Sequence, residues 1–121
     1  MPNRERVAAL IKRVEDGRYV EALQEFYAAD ATMQENGSPP RVGLRKLVEH
    51  ERGVMAAFSE IRTLPVKTWL VEGDCVVINW VFEFTRADGS QFRMDEIALQ
   101  RWRGDRVIAE RFYYDPSVLK P

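Results

Sequence analysis

The sequence predicts an α+β fold, with helices first and then a run of antiparallel strands. Three observations carry this. Apolar residues between Val7 and Phe58 recur mostly at helical spacing, i, i+3, i+4 and i+7. Residues 74–115, DCVVINWVFEFTRADGSQFRMDEIALQRWRGDRVIAERFYYD, read as three long strands joined by two tight turns. Asp88-Gly89 is the strongest short-range hairpin signal, because a type I′ turn needs positive φ at both central residues; Arg103-Gly104-Asp105 punctuates the second join. No linker, repeat or low-complexity segment interrupts the chain, which reads as one domain over residues 1–121.

Asn3 is placed to cap a first helix with the apolar stripe Val7, Leu10, Ile11 and Val14, and Gly17 ends it in the left-handed cap position. A short second helix carries Val20, Leu23, Phe26 and Tyr27 on one face. Residues 31–34 suit a short strand, after which Asn36-Gly37-Ser38-Pro39-Pro40 forces a loop. A third helix is expected over 43–58, with Leu44, Leu47, Val48, Val54 and Phe58 as its stripe. Glu51 falls on that stripe, an unusual place for a carboxylate. Residues 62–71 read as one strand, placed at an edge or start by Pro65, and Glu72-Gly73-Asp74 turns it into the long ladder.

At 45% apolar, 31% charged and a net charge of −1, the composition is that of an ordinary globular chain, without the basic excess of a nucleic-acid binder. No apolar run reaches the roughly 18 residues of a membrane-spanning helix. The stretch MPNRERVAALIKRV is charged throughout, so it reads as a helix and not a signal peptide. Neither a nucleic acid nor a membrane is therefore expected as a partner. A lone Cys75 leaves no internal disulfide and suits a reducing cytoplasm, where the Asn36-Gly37-Ser38 sequon has no meaning. One histidine and one cysteine do not build the usual nitrogen/sulfur metal site. Gly-rich phosphate loop, nucleophile elbow and dinucleotide fingerprint are all missing from the sequence, so no cofactor is expected.

Two passages carry a resemblance. FYAADATMQENGSPPRVG (26–43) resembles the ketosteroid isomerase passage that runs from acidic-Ala-Thr through the catalytic carboxylate to a Pro/Gly loop. ALQRWRGDRVIAERFYYDP (98–116) is similar to the last hairpin of SnoaL-like proteins and limonene epoxide hydrolases. Together with three helices ahead of a curved sheet, the chain resembles the nuclear transport factor 2-like superfamily over essentially its whole length. That implies a cystatin-like cone, N-terminal helices packed on a curved, largely antiparallel sheet that encloses a pocket. The fold hosts isomerases, cyclases, hydrolases, dehydratases and binders alike. The resemblance puts the isomerase's general base at Glu35, its oxyanion tyrosine near Leu10 or Ile11 and its oxyanion aspartate at Ala98, so both donors are replaced. The epoxide hydrolase triad falls near Asn79, Val81 and Phe112 and is absent as well.

An Asp88-Gly89 turn pairs Val81 with Glu96, Asn79 with Ala98 and Glu83 with Met94. Asn79, Val81, Glu83, Met94, Glu96, Ala98 and Gln100 then share one face, which the resemblance turns toward the pocket. Trp80, Phe82, Phe84, Ile97 and Leu99 share the other, an apolar face suited to a homodimer, as is common in the superfamily. A three-residue Arg103–Asp105 turn points Glu110, Phe112 and Tyr114 inward; a two-residue turn reverses them.

The expected cavity gathers Glu35, Glu51, Glu83 and Glu96 among Phe26, Tyr27, Phe58, Phe112 and Tyr114, with His50 on its helical wall. Burial raises a carboxyl's pKa and suits it to general acid–base work. Glu35 is the expected base, with Glu96 and His50 as further catalytic candidates, and Glu96, Asn79, His50 or Tyr114 orienting the substrate or stabilising developing charge. Glu83 and Glu96 have a structural alternative, pairing with Arg93 or Arg101 or reaching solvent at the rim. Two functions stay open: a cofactor-free isomerase, cyclase or hydratase acting on a hydrophobic carbonyl compound, and a ligand-binding or dimerisation domain.

Overall fold

The computed structural model describes residues 2–120. α1 (Arg4–Glu15) begins at Asn3, whose Oδ1 accepts from the Arg6 amide at 2.7 Å, and ends before Gly17 at φ +78°. α2 (Tyr19–Phe26) buries Tyr19, Ala22, Leu23 and Phe26. Tyr27 lies outside that helix and opens β1 (Tyr27–Glu35), nine residues long where four were expected. The extension comes from tertiary pairing. β1 runs parallel to β7 (Arg106–Tyr113), with Thr32 opposite Ala109 and Glu35 opposite Phe112, and local propensity carries no record of such a partner. The Pro-rich loop folds β2 (Arg41–Val42) back onto β1, with Arg41 opposite Met33. α3 (Leu44–Ala57) sinks Leu47 and Val48 into the core.

The single strand expected at 62–71 is two strands, β3 (Glu60–Thr63) and β4 (Trp69–Glu72), paired antiparallel with opposite ends of β5 (Cys75–Thr85). Pro65 has no N–H for a ladder, and the next amide, Val66, donates to Glu15 Oε2 at 2.8 Å instead of to a strand. β6 (Gln91–Arg103) completes a mixed seven-stranded sheet of order β2-β1-β7-β6-β5-β3, with β4 also beside β5. The core lies between the helices and the inner sheet face, around Leu10, Phe26, Leu47, Ile78 and Trp102.

The β5–β6 register differs by one residue from expectation. Arg86 and Ser90 close a three-residue loop, with the Arg86 amide 2.8 Å from the Ser90 carbonyl, and only Gly89 takes positive φ. The Asp88 carboxylate accepts from the Ser90 amide and hydroxyl, at 2.9 and 2.7 Å, which favours this loop over a two-residue I′ turn. Trp80 therefore faces Glu96, Phe82 faces Met94 and Ile78 faces Ala98. Because side chains alternate, the slip turns every β5 residue over. Trp80, only 3% exposed, and Phe82 point inward and leave the expected interface. Asn79, Val81 and Glu83 move to the outer face with Ile97 and Leu99.

The last hairpin reaches the expected orientation by another route. Its turn has two residues, Gly104 and Asp105, with Gly104 (φ +62°) at the position where a type II′ turn takes glycine. That turn alone would reverse β7. Arg101 pairs with Ala109 but Trp102 pairs with Val107, so Ile108 is an extra residue that restores the alternation and leaves Glu110 inward beside Gln100.

Candidate active site

Between the helices and the inner sheet face lies a cavity of about 330 Å³, within the range of small-molecule sites. Its apolar walls come from Trp80, Phe82 and Phe84 on β5, Leu10 on α1, Leu23 on α2 and Phe58 after α3. Alternation along the strands delivers its polar groups: Glu35 from β1, Glu96 from β6 and Glu110 from β7. On α3, His50, Glu51 and Val54 lie within one turn of each other and share the face toward the cavity.

These groups form three arrangements. Glu35 accepts from the Tyr114 hydroxyl at 2.7 Å, pairs with Arg41 Nη1 at 2.5 Å and lies 3.8 Å from His50 Nε2. In a buried chain, Trp102 Nε1 donates to Gln100 Oε1 (2.9 Å), Gln100 Nε2 donates to Glu110 Oε2 (2.7 Å), and the Tyr27 hydroxyl donates to Glu110 Oε1. Glu96 stands alone: 6% exposed, facing the cavity, with no side-chain hydrogen bond or ion pair among the described residues.

Residues 7–110 match the SnoaL-like domain family. The chain belongs to that family. No curated protein matches it. Among solved structures, this SnoaL-like chain is similar to TerC co-crystallised with polyporic acid, at 18% identity over 98% of this chain and 95% of that one, TM-score 0.82. It is similar to a proposed SnoaL-like polyketide cyclase from Mesorhizobium loti, at 23% identity over 94% and 100%, TM-score 0.82. A protein of ketosteroid isomerase-like fold from Catenulispora acidiphila, in complex with trimethylamine, matches at 21% identity over 96% and 89%, TM-score 0.80. At such identities the likeness shows the fold, the α+β cone of nuclear transport factor 2-like proteins.

Inside the SnoaL-like cavity the carboxyls are driven apart. Burial pushes Glu96 up to about 8, reinforced by the charges of Glu110, Glu35 and Glu51. Burial likewise pushes Glu110 up to about 7, against the opposing pull of its hydrogen bonds from Tyr27 and Gln100. Burial and the neighbouring Glu35 raise Glu51. Glu35 goes the other way: burial would raise it, but the Tyr114 hydroxyl and the Arg41 guanidinium more than offset that and hold it below the ordinary carboxylate value. Burial and Arg41 lower His50, leaving its imidazole neutral at pH 7, while burial and Glu35 raise Tyr114. At pH 7 a protonated Glu96 thus faces an ionised Glu35.

Of the residues proposed from sequence, Glu35, His50, Glu51, Glu96, Tyr27, Phe58, Met94, Phe112 and Tyr114 all line this cavity. Five do not. Phe26 is packed into the core instead. Glu83 pairs outside with Arg93 Nη2 at 2.7 Å and Arg62 Nη1 at 3.6 Å. Asn79 Nδ2 donates to Asp95 Oδ1 at 2.7 Å on the same outer face, and Val81 stands there with it. Ala98 points inward but ends at its Cβ, fully buried beneath the cavity lining. Sequence reasoning missed Arg41, which only the β1–β2 pairing sets against Glu35, and it sent Trp80 and Phe82 to the wrong face. The larger apolar parity of β5 (Val76, Ile78, Trp80, Phe82, Phe84) was the available signal for that face.

Proposed function

We propose that this SnoaL-like chain is a cofactor-free general acid–base catalyst of isomerisation, cyclisation or hydration on a hydrophobic, carbonyl-bearing small molecule. One observation carries the reading: a single apolar cavity holds two carboxyls in opposite settings, Glu96 buried without a side-chain partner among the described residues and so pushed up, Glu35 bound by Tyr114 and Arg41 and so held low. Glu35, ionised, removes a proton from the carbon beside the carbonyl. Glu96, protonated, meets the carbonyl oxygen and stabilises the negative charge that develops there. Tyr114 and Arg41 hold Glu35 in place, and neutral His50 stands beside it. The polyporic acid in TerC supports a small organic ligand for a cavity of this fold.

Deuterium uptake into the methyl group of 2-acetonaphthone in heavy water tests this. We expect uptake above the buffer rate around neutral pH, falling above about pH 8 as Glu96 loses its proton. Uptake at the buffer rate would overturn catalysis. A second reading, binding without turnover, is favoured by the apolar residues where the ketosteroid isomerase resemblance puts its two oxyanion donors, Leu10 or Ile11 on α1 and buried Ala98. Binding of the ketone with no uptake would establish it.

The proposed partner besides the ligand is a second copy of the chain, through the outer sheet face. Ile97 and Leu99 are 40% and 41% exposed there, and β6 carries exposed Asp95 and Arg101 at opposite ends of that stripe. A two-fold axis through it sets unlike charges against each other. Ile97→Glu is expected to shift sedimentation from dimer to monomer; an unaltered profile would count against this interface. Lone Cys75 supports a reducing, cytoplasmic setting, and no helix among the described residues is long and apolar enough to cross a membrane.

A further inference from the structure

We propose that Tyr27 is the cavity's second donor to a ligand carbonyl oxygen, and that Glu110 is the positioning residue that aims its hydroxyl, because the buried run Trp102–Gln100–Glu110 leaves a Glu110 proton one place only, on the oxygen that meets Tyr27. The proposal deepens the carbonyl-ligand reading above and rests on it. An indole N–H only donates, so Trp102 Nε1, 2.9 Å from Gln100 Oε1, fixes which way the Gln100 amide is turned. The amide then presents its NH₂ to Glu110 Oε2 at 2.7 Å. That oxygen accepts, so any proton on Glu110 sits on Oε1, against the Tyr27 hydroxyl.

Two states follow. With the proton in place, Glu110 donates to Tyr27 Oη, and the tyrosine's own hydrogen is released toward the cavity that both residues line. With the proton gone, Tyr27 gives its hydrogen to the Glu110 carboxylate and has none left for a carbonyl oxygen. Gln100 is the reason the carboxyl has no alternative place for its proton.

The groups around Glu110 set where this change falls. Glu51 on α3 adds to the cost of a charge on Glu110, while Glu96 on β6 keeps its own proton through this range and Glu35 on β1 is an ionised acid across the cavity. Arg41 on β2, the one cation lining the cavity among the described residues, is held by Glu35. Burial and Arg41 lower the pKa of His50 on α3, and Tyr114 donates its hydroxyl to Glu35. Burial dominates, and Glu110 carries its proton up to about pH 7. The Tyr27 donor is therefore present below that pH and withdrawn above it.

Affinity for 2-acetonaphthone, a ketone that does not itself titrate, reads this out by titration calorimetry between about pH 5.5 and 7.5, below the step of Glu96. Wild-type affinity is expected to fall several-fold across that range. Tyr27→Phe should weaken binding by about tenfold at the acid end, one hydrogen bond's worth, and abolish the dependence. Glu110→Gln makes the sharpest distinction. Its amide oxygen faces the Gln100 NH₂ and its own NH₂ faces Tyr27 Oη, so it copies the protonated acid and should keep the acid-end affinity at every pH. In wild type, the bound ketone's infrared C=O stretch should lie lower at pH 5.5 than at pH 7.5, a reading that needs no variant.

No ketone binding at pH 5.5, an unshifted stretch, undiminished binding by Tyr27→Phe, or a Glu110→Gln protein that binds as weakly as Tyr27→Phe would each overturn the proposal. Proton-dependent binding without deuterium uptake would support this donor while sinking the catalytic reading. Uptake with pH-independent binding would do the reverse.

Discussion

Glu35→Gln is expected to slow deuterium uptake by about 10²–10⁴-fold, the usual contribution of a positioned general base. The substitution keeps the side chain's size and leaves an oxygen to accept from Tyr114, now 2.7 Å away, so the cavity shape persists. What it removes is the negative charge and the lone pair that takes the proton. Arg41, paired at 2.5 Å, loses its counter-charge, but both side chains retain contact with solvent, which limits the cost in stability to about 1–2 kcal/mol. A folded variant with unchanged uptake would remove Glu35 from the role of base. Glu83→Gln serves as the control: its carboxylate is tied to Arg93 and Arg62 on the other side of the sheet, and uptake should not change.

The second large effect is on stability. Glu96 and Glu110 titrate at about 8 and about 7 in the folded chain, against 4.5 for an ordinary glutamate. Between the ordinary value and the raised ones, the native state keeps protons that the unfolded chain has released. Stability is then fully present below about pH 4.5, falls as pH rises through that window, and levels off above about 8. Glu35, held low, acts in the opposite sense and loses stabilisation only in acid, below the ordinary value. A tenfold difference in proton affinity between the folded and unfolded chain is worth about 1.4 kcal/mol, so Glu96 alone changes stability by on the order of a few kcal/mol across the window. Glu96→Gln removes the ionisation. It should match wild type at about pH 5 and melt roughly 10 °C higher at about pH 8.5, by the usual relation between stability and melting temperature. Equal melting at the alkaline pH would mean that the Glu96 carboxyl is not held in a dry, cation-free place.

The two effects have a common origin. A cavity that keeps Glu96 unpaired forfeits stability at neutral and alkaline pH, and the same isolation leaves Glu96 protonated at pH 7, as the proposed donor requires. The ion pair that would cure the instability, such as the one Glu35 makes with Arg41, would also ionise the acid. Arg41 sits in a two-residue strand at the cavity edge, within reach of Glu35.

Much of this was legible in the residues. The Asn3 cap, the Gly17 stop, the apolar stripe of α3 with Glu51 on it, and three long C-terminal strands all follow from local chemistry and spacing, and they are where the sequence puts them. Glu35 came from the passage around it, and Glu96 from the alternation of β6. Tertiary structure decided three further things. The length of β1 depends on a parallel partner some eighty residues away, as the Glu35–Phe112 pairing shows. The face of β5 turned on one loop residue: the Asp88 hydrogen bonds to Ser90 close a three-residue loop, and that single step carried Trp80 and Phe82 into the core and Asn79, Val81 and Glu83 out of the site. The inward direction of Glu110 survived a two-residue turn because the Ile108 bulge reset the count. Residue types and periodicity determined which elements form, since those are local. Which face of each strand meets the cavity is a parity, set by integers in turns and bulges and resolved by where the aromatic area can be buried, and only the assembled sheet settles it.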